Sequence, residues 1–351
     1  MDQKHTHDPT APRQMLKRYL GSWHQRLAVG VSIDSDFSNV GASLSLCKGY
    51  GKWLQHQWSG FRQLSVPVAL KQACQRLCSD QDVNLIEFTQ VRADLTDVIA
   101  SAVDNVITMS GKAEDRLLTV GVVDPGLWNQ DFDGKPNYVS FCEPERLAEL
   151  SGLTVIDSFS ARDIAGGGQG KPIEPLALWL LFADRSPKVA TQDRVVVLES
   201  GQDSVSATWL PVSDGLDDEI PNIRVGTFKK SVDLPTRLKE WVNGLAENRS
   251  KRLQIGLVSF AKVDLAESNE YWEQVSIQDR GLDLESIDST IAATLSLMSL
   301  DQMPSSLPWI TGCDAPRVLG RMTPGSANNW RQVILNMADF RPPAMKLRDA
   351  I

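Results

Sequence analysis

From Asp157 to Pro175 the chain reads DSFSARDIAGGGQGKPIEP, with four glycines (Gly166, Gly167, Gly168 and Gly170) inside five positions. Glycine accepts φ > 0 and lets backbone N–H groups approach a ligand with no Cβ in the way. The apolar run Leu153 to Ile156 reads as a strand, and Leu176 to Phe182 reads as a helix opening after Pro175. A strand, a glycine-rich turn and a helix in succession set a positive helix end before a bound phosphate or sugar. On that reading Asp163, Gly167, Gly168, Gln169, Gly170 and Lys171 are the candidate ligand-binding residues. The competing reading is structural: the glycines supply the turn, and Asp163 caps it by accepting backbone N–H bonds.

Working outward, composition narrows the classes. The chain has 351 residues, 42% of them apolar and 23% charged, enough for two domains around separate cores. A net charge of −8 without clustered Lys and Arg argues against nucleic acid as a partner. No apolar run is long enough to span a membrane, and the first twenty residues lack the apolar core of a secretion signal. The five scattered cysteines fit reduced thiols in a cytoplasm. Cys74 and Cys78 lie four apart without further ligands nearby, so no metal site is expected. The only histidines are His5, His7, His24 and His56, which leaves acid–base chemistry to carboxylates, lysine or tyrosine.

The periodicity predicts strands at 26–33 and 40–46, a third within 50–58, helices at 64–78 and 84–109, and a strand at 117–123. A short helix at 144–150 leads into the glycine-rich stretch. After a polar, punctuated segment the pattern returns: strands at 194–198 and 205–211, a helix at 234–247, a strand within 252–260, and helices at 284–300 and 328–335. The organisation read from this is a flexible arm over 1–25, a first α/β domain over 26–188 and a second over 194–351, whose last helix folds back on the first. Trp128, Trp179, Trp209 and Trp309 read as core or interface.

Two segments carry a resemblance. Residues 163–172, DIAGGGQGKP, resemble the D-[IM]-A-x-G-G-Q-G-A-P signature of anhydro-N-acetylmuramic acid kinases, and residues 307–320, LPWITGCDAPRVLG, resemble their closing N-L-P-x-V-T-G-A…V-L-G segment. The resemblance implies a mixed α/β, duplicated two-domain actin-like, sugar-kinase fold whose domains flank a cleft. It also implies an ATP- and Mg²⁺-dependent kinase of bacterial peptidoglycan recycling that phosphorylates an amino sugar, cytoplasmic and homodimeric.

Carried over residue by residue, the motifs are degraded. The family's opening phosphate turn, M-S-G-T-S-x-D-G-V-D, stands here as residues 32–41, SIDSDFSNVG: its glycines are Asp34 and Asn39, its first aspartate is Ser38, and Asp36 is a new acid. A carboxylate beside triphosphate oxygens repels them. The catalytic aspartate of D-F-R-x-x-D-I-A is Ser158, with Asp157 as the adjacent substitute if the loop is rebuilt. At the strand end, residues 121–129 lack the family's histidine, glutamine and threonine, and in residues 140–143 only the acid, Glu143, is kept. The second-domain phosphate turn has become Glu199 to Val205, with Gly201 and Gln202 at its tip. The expectation is a pseudokinase that needs no ATP or Mg²⁺ and keeps a small sugar-like or anionic ligand. The alternatives are an active kinase with a rebuilt site, in which Asp157 or Asp163 is the base and Lys171 meets a phosphate, and a non-catalytic scaffold.

Overall fold

The computed structural model describes residues 25–79, 83–110, 117–130, 133–183, 194–200, 204–211, 222–231, 233–245, 255–259, 272–274 and 282–339. Residues 1–24 of the arm, and Gly201 and Gln202, lie outside the described residues, whereas Gln25, counted with the arm from sequence, opens the first strand.

The first half opens with an antiparallel meander of β1 (Gln25–Ile33), β2 (Asn39–Lys48) and β3 (Gln55–Ser65). The third strand starts later than expected because Gly51–Trp53 forms a 3₁₀ turn. For the same reason α1 (Val68–Ser79) begins only after Pro67, whose carbonyl accepts the N–H of Lys71. The long α2 (Leu85–Ser110) leads to β4 (Leu117–Val123), parallel to β1. A separate hairpin, β5 (Leu127–Gln130) and β6 (Pro136–Val139), precedes α3 (Pro144–Ser151) and β7 (Thr154–Asp157), which is parallel to β4. Next come α4 (Phe159–Ile164) and α5 (Pro175–Phe182).

The second half repeats the plan. It has the meander β8 (Arg194–Ser200), β9 (Ser204–Pro211) and β10 (Arg224–Lys229), then α6 (Leu234–Leu245), β11 (Ile255–Ser259) and β12 (Trp272–Gln274). Its strand order, β10-β9-β8-β11-β12, reproduces β3-β2-β1-β4-β7 of the first sheet, with β11 parallel to both β8 and β12. This is a duplicated mixed α/β arrangement, as expected from the sequence, and the equivalence lies in connectivity rather than in repeated residues. The segment after 282 supplies α7 (Ile287–Leu300), α8 (Pro308–Thr311), β13 (Arg321–Thr323) and α9 (Ala327–Asp339). β13 pairs with β7 at the edge of the first sheet, and α9 packs on β4 and β7. Asn329 of α9 stitches that edge: its Nδ2 donates to the Leu117 carbonyl at 2.9 Å, and its Oδ1 accepts the Thr154 N–H at 2.7 Å.

Two glycines admit α7 to the first sheet. Gly30 and Gly121 lie opposite each other in the β1–β4 register. A Cβ on Gly30 would sit 1.8 Å from the Ser289 carbonyl oxygen, and one on Gly121 2.2 Å from that of Ala292. The helix meets them with small residues, and hydroxyl pairs link the layers: Ser43 with Ser289 at 2.5 Å and Thr119 with Ser296 at 3.0 Å. At the far end of α7 the buried Asp301 carboxylate pairs with Arg26 at 2.8 Å, beneath the Tyr50 ring. Every side chain of α5 is buried, with no polar face, because it is wedged between β3 and α7 on one side and β9 on the other. One apolar cluster therefore joins Ala28 and Ile156 of the first sheet to Val197 and Leu210 of the second.

Candidate functional site

Ligands of open α/β sheets bind beyond the carboxyl ends of the parallel strands. In the first half, Asp34 follows β1, Asp124 follows β4, and Asp157 closes β7. Each is held by protein donors.

The turn after β1 is folded on its own side chains. The Asp34 N–H donates to the Asn39 carbonyl at 3.0 Å, and Asn39 Nδ2 donates to Asp34 Oδ2 at 2.8 Å. Asp36 accepts the Ser38 N–H at 3.0 Å and the Ser38 hydroxyl at 2.5 Å, and pairs with Lys71 Nζ at 2.9 Å. These bonds from Ser38, and then Lys71, hold the Asp36 carboxyl down to about 2. Phe37, at φ 59°, turns its ring into the core, 2% exposed. The donor set does not fit a triphosphate: the turn presents two carboxylates, and the adjacent ammonium is already paired.

After β4, the Asp124 carboxylate is enclosed. It accepts the Ser140 hydroxyl at 2.7 Å, the N–H groups of Phe141 at 2.7 Å and Cys142 at 3.0 Å, and the Tyr138 hydroxyl. Burial pushes its carboxyl up, against the pull of those donors. Burial likewise pushes the Cys142 thiol well up, so it is no ready nucleophile. Glu143, the family-acid position, sits at the N-terminus of α3, where its N–H donates to Thr96 Oγ1 at 2.9 Å. Sequence reading missed Tyr138 and the β5–β6 hairpin that delivers it. The signal available was Asp133-Gly134, a turn pair between two short stretches of mixed polarity.

The glycine-rich stretch differs from the expected strand, turn and helix. Strand β7 runs directly into α4, and the glycine turn follows that helix instead. Asp157 is buried and bound bidentately by Arg321 of β13, Nε to Oδ1 at 3.2 Å and Nη2 to Oδ2 at 2.9 Å. Ser158, in the family's base position, takes the left-handed conformation at φ 57° and donates its hydroxyl to Asp157 Oδ2 at 2.8 Å.

Within the turn every N–H from residue 166 to 170 is spent inside the protein. Gly166 and Gly168 donate to the Asp163 carbonyl, Gly167 to the Ile164 carbonyl, Gln169 to the Thr311 carbonyl, and Gly170 to Asp163 Oδ2 at 2.7 Å. Asp163, fully buried, also accepts the hydroxyls of Thr311, at 2.8 Å, and Ser306. The anion cradle expected of this turn is thus closed: its N–H groups are taken up by Asp163, Ile164 and Thr311, and its helix end is not presented to a ligand. Gly168 approaches so near that a Cβ would stand 2.1 Å from Asp163 Oδ2. Gln169 is exposed, and Lys171 lies with Nζ 4.6 Å from the centre of the Trp128 ring. Trp128 and Trp309 are partly exposed, each with its indole N–H on a backbone carbonyl, whereas Trp179 and Trp209 are core.

The glycine signature and the closing segment are brought together through Asp163, Thr311 and Ser306. Asp157, Ser158 and Arg321 form a second group, and the turn with Asp34, Asp36, Ser38 and Asn39 a third. Among the described residues no group of three or more His, Cys, Asp or Glu is arranged to hold a metal ion, and no helix is long and apolar enough to cross a membrane.

With this geometry in place, residues 38–202 match the family model of anhydro-N-acetylmuramic acid kinase. Over that stretch, a little under half of its length, the chain is similar to that family. The match takes in the second and third strands of the meander, the glycine turn and the first strand of the second half. Solved structures show only distant likeness. A polyphosphate/ATP-glucomannokinase from Arthrobacter sp. strain KM is 12% identical, with 78% of this chain and 98% of that one covered, at a TM-score of 0.29. The PPX-GPPA enzyme of Aquifex aeolicus is 13% identical over 67% and 68% of the two chains, at 0.28. YeaZ from Pseudomonas aeruginosa is 9% identical over 71% and 81%, at 0.25. Likeness at this level carries no argument about activity.

Proposed function

We propose that this chain is a pseudokinase of the anhydro-N-acetylmuramic acid kinase type, a cytoplasmic homodimer by analogy with that family, using neither ATP nor Mg²⁺. The observation that carries the reading is the turn after β1. The N–H groups of Asp34 and Phe37 go to backbone carbonyls of the turn, that of Ser38 goes to the Asp36 carboxylate, and Lys71 pairs with Asp36, so these donors, which a triphosphate would need, are engaged within the protein. Ser158 in the base position adds to it, because a serine hydroxyl has no useful basicity near neutral pH. The rebuilt-kinase reading draws no support from Asp157, whose oxygens are engaged by Arg321 and Ser158. Any retained ligand is a small amino sugar of the kind the family handles, bound without phosphate chemistry.

The test is titration calorimetry of the whole chain with ATP–Mg²⁺, together with an assay for phosphate transfer to anhydro-N-acetylmuramic acid. No binding heat at millimolar nucleotide and no ADP release are expected. A micromolar dissociation constant or any enzyme-dependent turnover sinks the proposal. A thermal-shift series with muramyl sugars then separates a sugar binder, which gains stability with ligand, from an inert scaffold.

A further inference from the structure

Hairpin β5–β6 stands apart from both large sheets as a two-stranded sheet of its own, entered from the carboxyl end of β4. Its strands are four residues each, and none of those residues is buried. A two-stranded hairpin alone is marginal in water, so side-chain contacts with the body decide where it rests. Tyr138 donates its hydroxyl to Asp124. Trp128 stands edge-on to Tyr138 with ring centres 5.0 Å apart, and its far edge meets Gly170, where a Cβ would come 2.8 Å from Cη2. Lys171 Nζ lies 4.6 Å from the centre of the same ring. Leu127, half-buried, packs on the core of the first half, and β6 packs on α4.

The two ends of the hairpin are held differently. Beyond β6, the Phe141 ring is buried, 5.1 Å from that of Phe37 and 5.9 Å from that of Phe88. The Ser140 hydroxyl and the N–H groups of Phe141 and Cys142 therefore serve Asp124 from fixed positions. Before β5 stands Gly126 at φ 62°, a conformation that glycine takes without strain. A Cβ there would lie 2.0 Å from the Tyr138 ring, so the ring settles on Asp124 in the room that a side chain at 126 would fill. The body thus gives Asp124 three donors of its own, and the hairpin lays a fourth over them. A segment with so little buried surface opens locally, at a free energy below that of global unfolding.

We infer that the β5–β6 hairpin is a hinged lid, which swings at Gly126, closes over the Asp124 carboxyl and the Gly170 end of the glycine turn, and is latched by Tyr138 on Asp124 and by Trp128 against Gly170 and Lys171. Closed, it covers a strand end of the kind at which open α/β sheets bind ligands, so whatever approaches Asp124 does so through the open form. The device works without a ligand and stands apart from the pseudokinase reading.

The experiment labels the carboxyls of the full-length chain with a water-soluble carbodiimide and glycine ethyl ester, read residue by residue by mass spectrometry, alongside hydrogen exchange of the hairpin amides. Asp124 reacts while the lid is open, whereas Asp163 and Asp301, buried elsewhere, react only on wider unfolding. In the wild type the hairpin amides are expected to exchange about tenfold or more faster than those of β4 and β7, yet more slowly than in an unstructured peptide. Two variants should each raise Asp124 labelling and hairpin exchange together, several-fold, and leave Asp163, Asp301, β4 and β7 unchanged. Tyr138→Phe combined with Lys171→Ala undoes the latch, and Gly126→Ala crowds the closed ring while keeping the Tyr138 hydroxyl. Asp124 labelling that stays at the wild-type level in Gly126→Ala overturns the inference. So does a rise shared by Asp163 and Asp301, which would make the hairpin part of the cooperative fold, and so do hairpin amides that exchange as slowly as those of β4.

Discussion

Asp163 is a buried carboxyl group whose partners are a hydroxyl from each of Ser306 and Thr311 and the N–H of Gly170. Removing a buried acceptor leaves its donors without water or partner, which costs more than the net value of each bond. Asp163→Ala is therefore expected to lower stability by roughly 3–5 kcal/mol, because three buried donors lose their acceptor at about 1–3 kcal/mol each. Thr311→Val, which removes one donor, should cost only about 1 kcal/mol. Urea denaturation measures both, and equal small losses would show that the turn does not depend on this carboxylate. Asp36 acts through pH instead. Its carboxyl lies at about 2 in the fold against an ordinary 3.8, so on acidification the unfolded chain takes up the proton first. Its contribution is complete above about pH 4 and is lost as pH falls towards about 2. The stability gap between the wild type and Asp36→Asn should close over that window. The carboxyls of Asp124 and Asp301, which burial pushes up, have the opposite sign and favour the fold in their protonated forms, so they cannot produce this loss.

At the scale of elements, the seating of α7 on the first sheet is the contact most dependent on residue size. Gly30→Ala drives a methyl into the Ser289 carbonyl, which is backbone and cannot swing aside, so the helix must lift from both β1 and β4. The expected loss is at least about 3 kcal/mol, at the upper end for overpacking. Gly244→Ala is the matched control: nothing lies within 4 Å of its Cβ, and an alanine in α6 should be neutral or gain up to about 1 kcal/mol. Thermal melts of the two variants decide it, and similar melting points would refute the close approach. The two strands that carry this glycine pair were legible from sequence, because Leu27 to Ile33 and Leu117 to Val123 are apolar runs broken, glycine aside, only by Ser32 and Thr119, but nothing local says that Gly30 and Gly121 come side by side. The same division holds at the candidate site. The glycine turn could be located by composition, yet its N–H groups are satisfied by Asp163 and Thr311, and the second partner lies well over a hundred positions away in the chain. Hairpin β5–β6 escaped notice because its strands are four residues each, too short for alternation to stand out.

For the whole molecule the question is whether two related halves behave as two bodies. Halves joined by a small polar contact move and melt separately, whereas a large apolar contact couples them. Helix α5 lies between β3 and β9 with all its side chains buried, and Trp179 on it donates to the Pro211 carbonyl of the second half at 2.9 Å. Trp309 of α8 likewise reaches the Ile223 carbonyl at 3.1 Å. Neither half can expose its share of α5 without stranding apolar surface of the other. Calorimetric unfolding is therefore expected to show one transition, with calorimetric and van't Hoff enthalpies in agreement. Leu180→Ala, which opens a cavity in the shared cluster, should lower that single transition by about 2–5 kcal/mol without splitting it. Two resolved steps, or a variant that lowers one step and spares the other, would mean that α5 belongs to one half alone. In that case the halves would be free to hinge over a ligand as a closing kinase does, and the restraint that shared packing places on such closure would fall with the prediction.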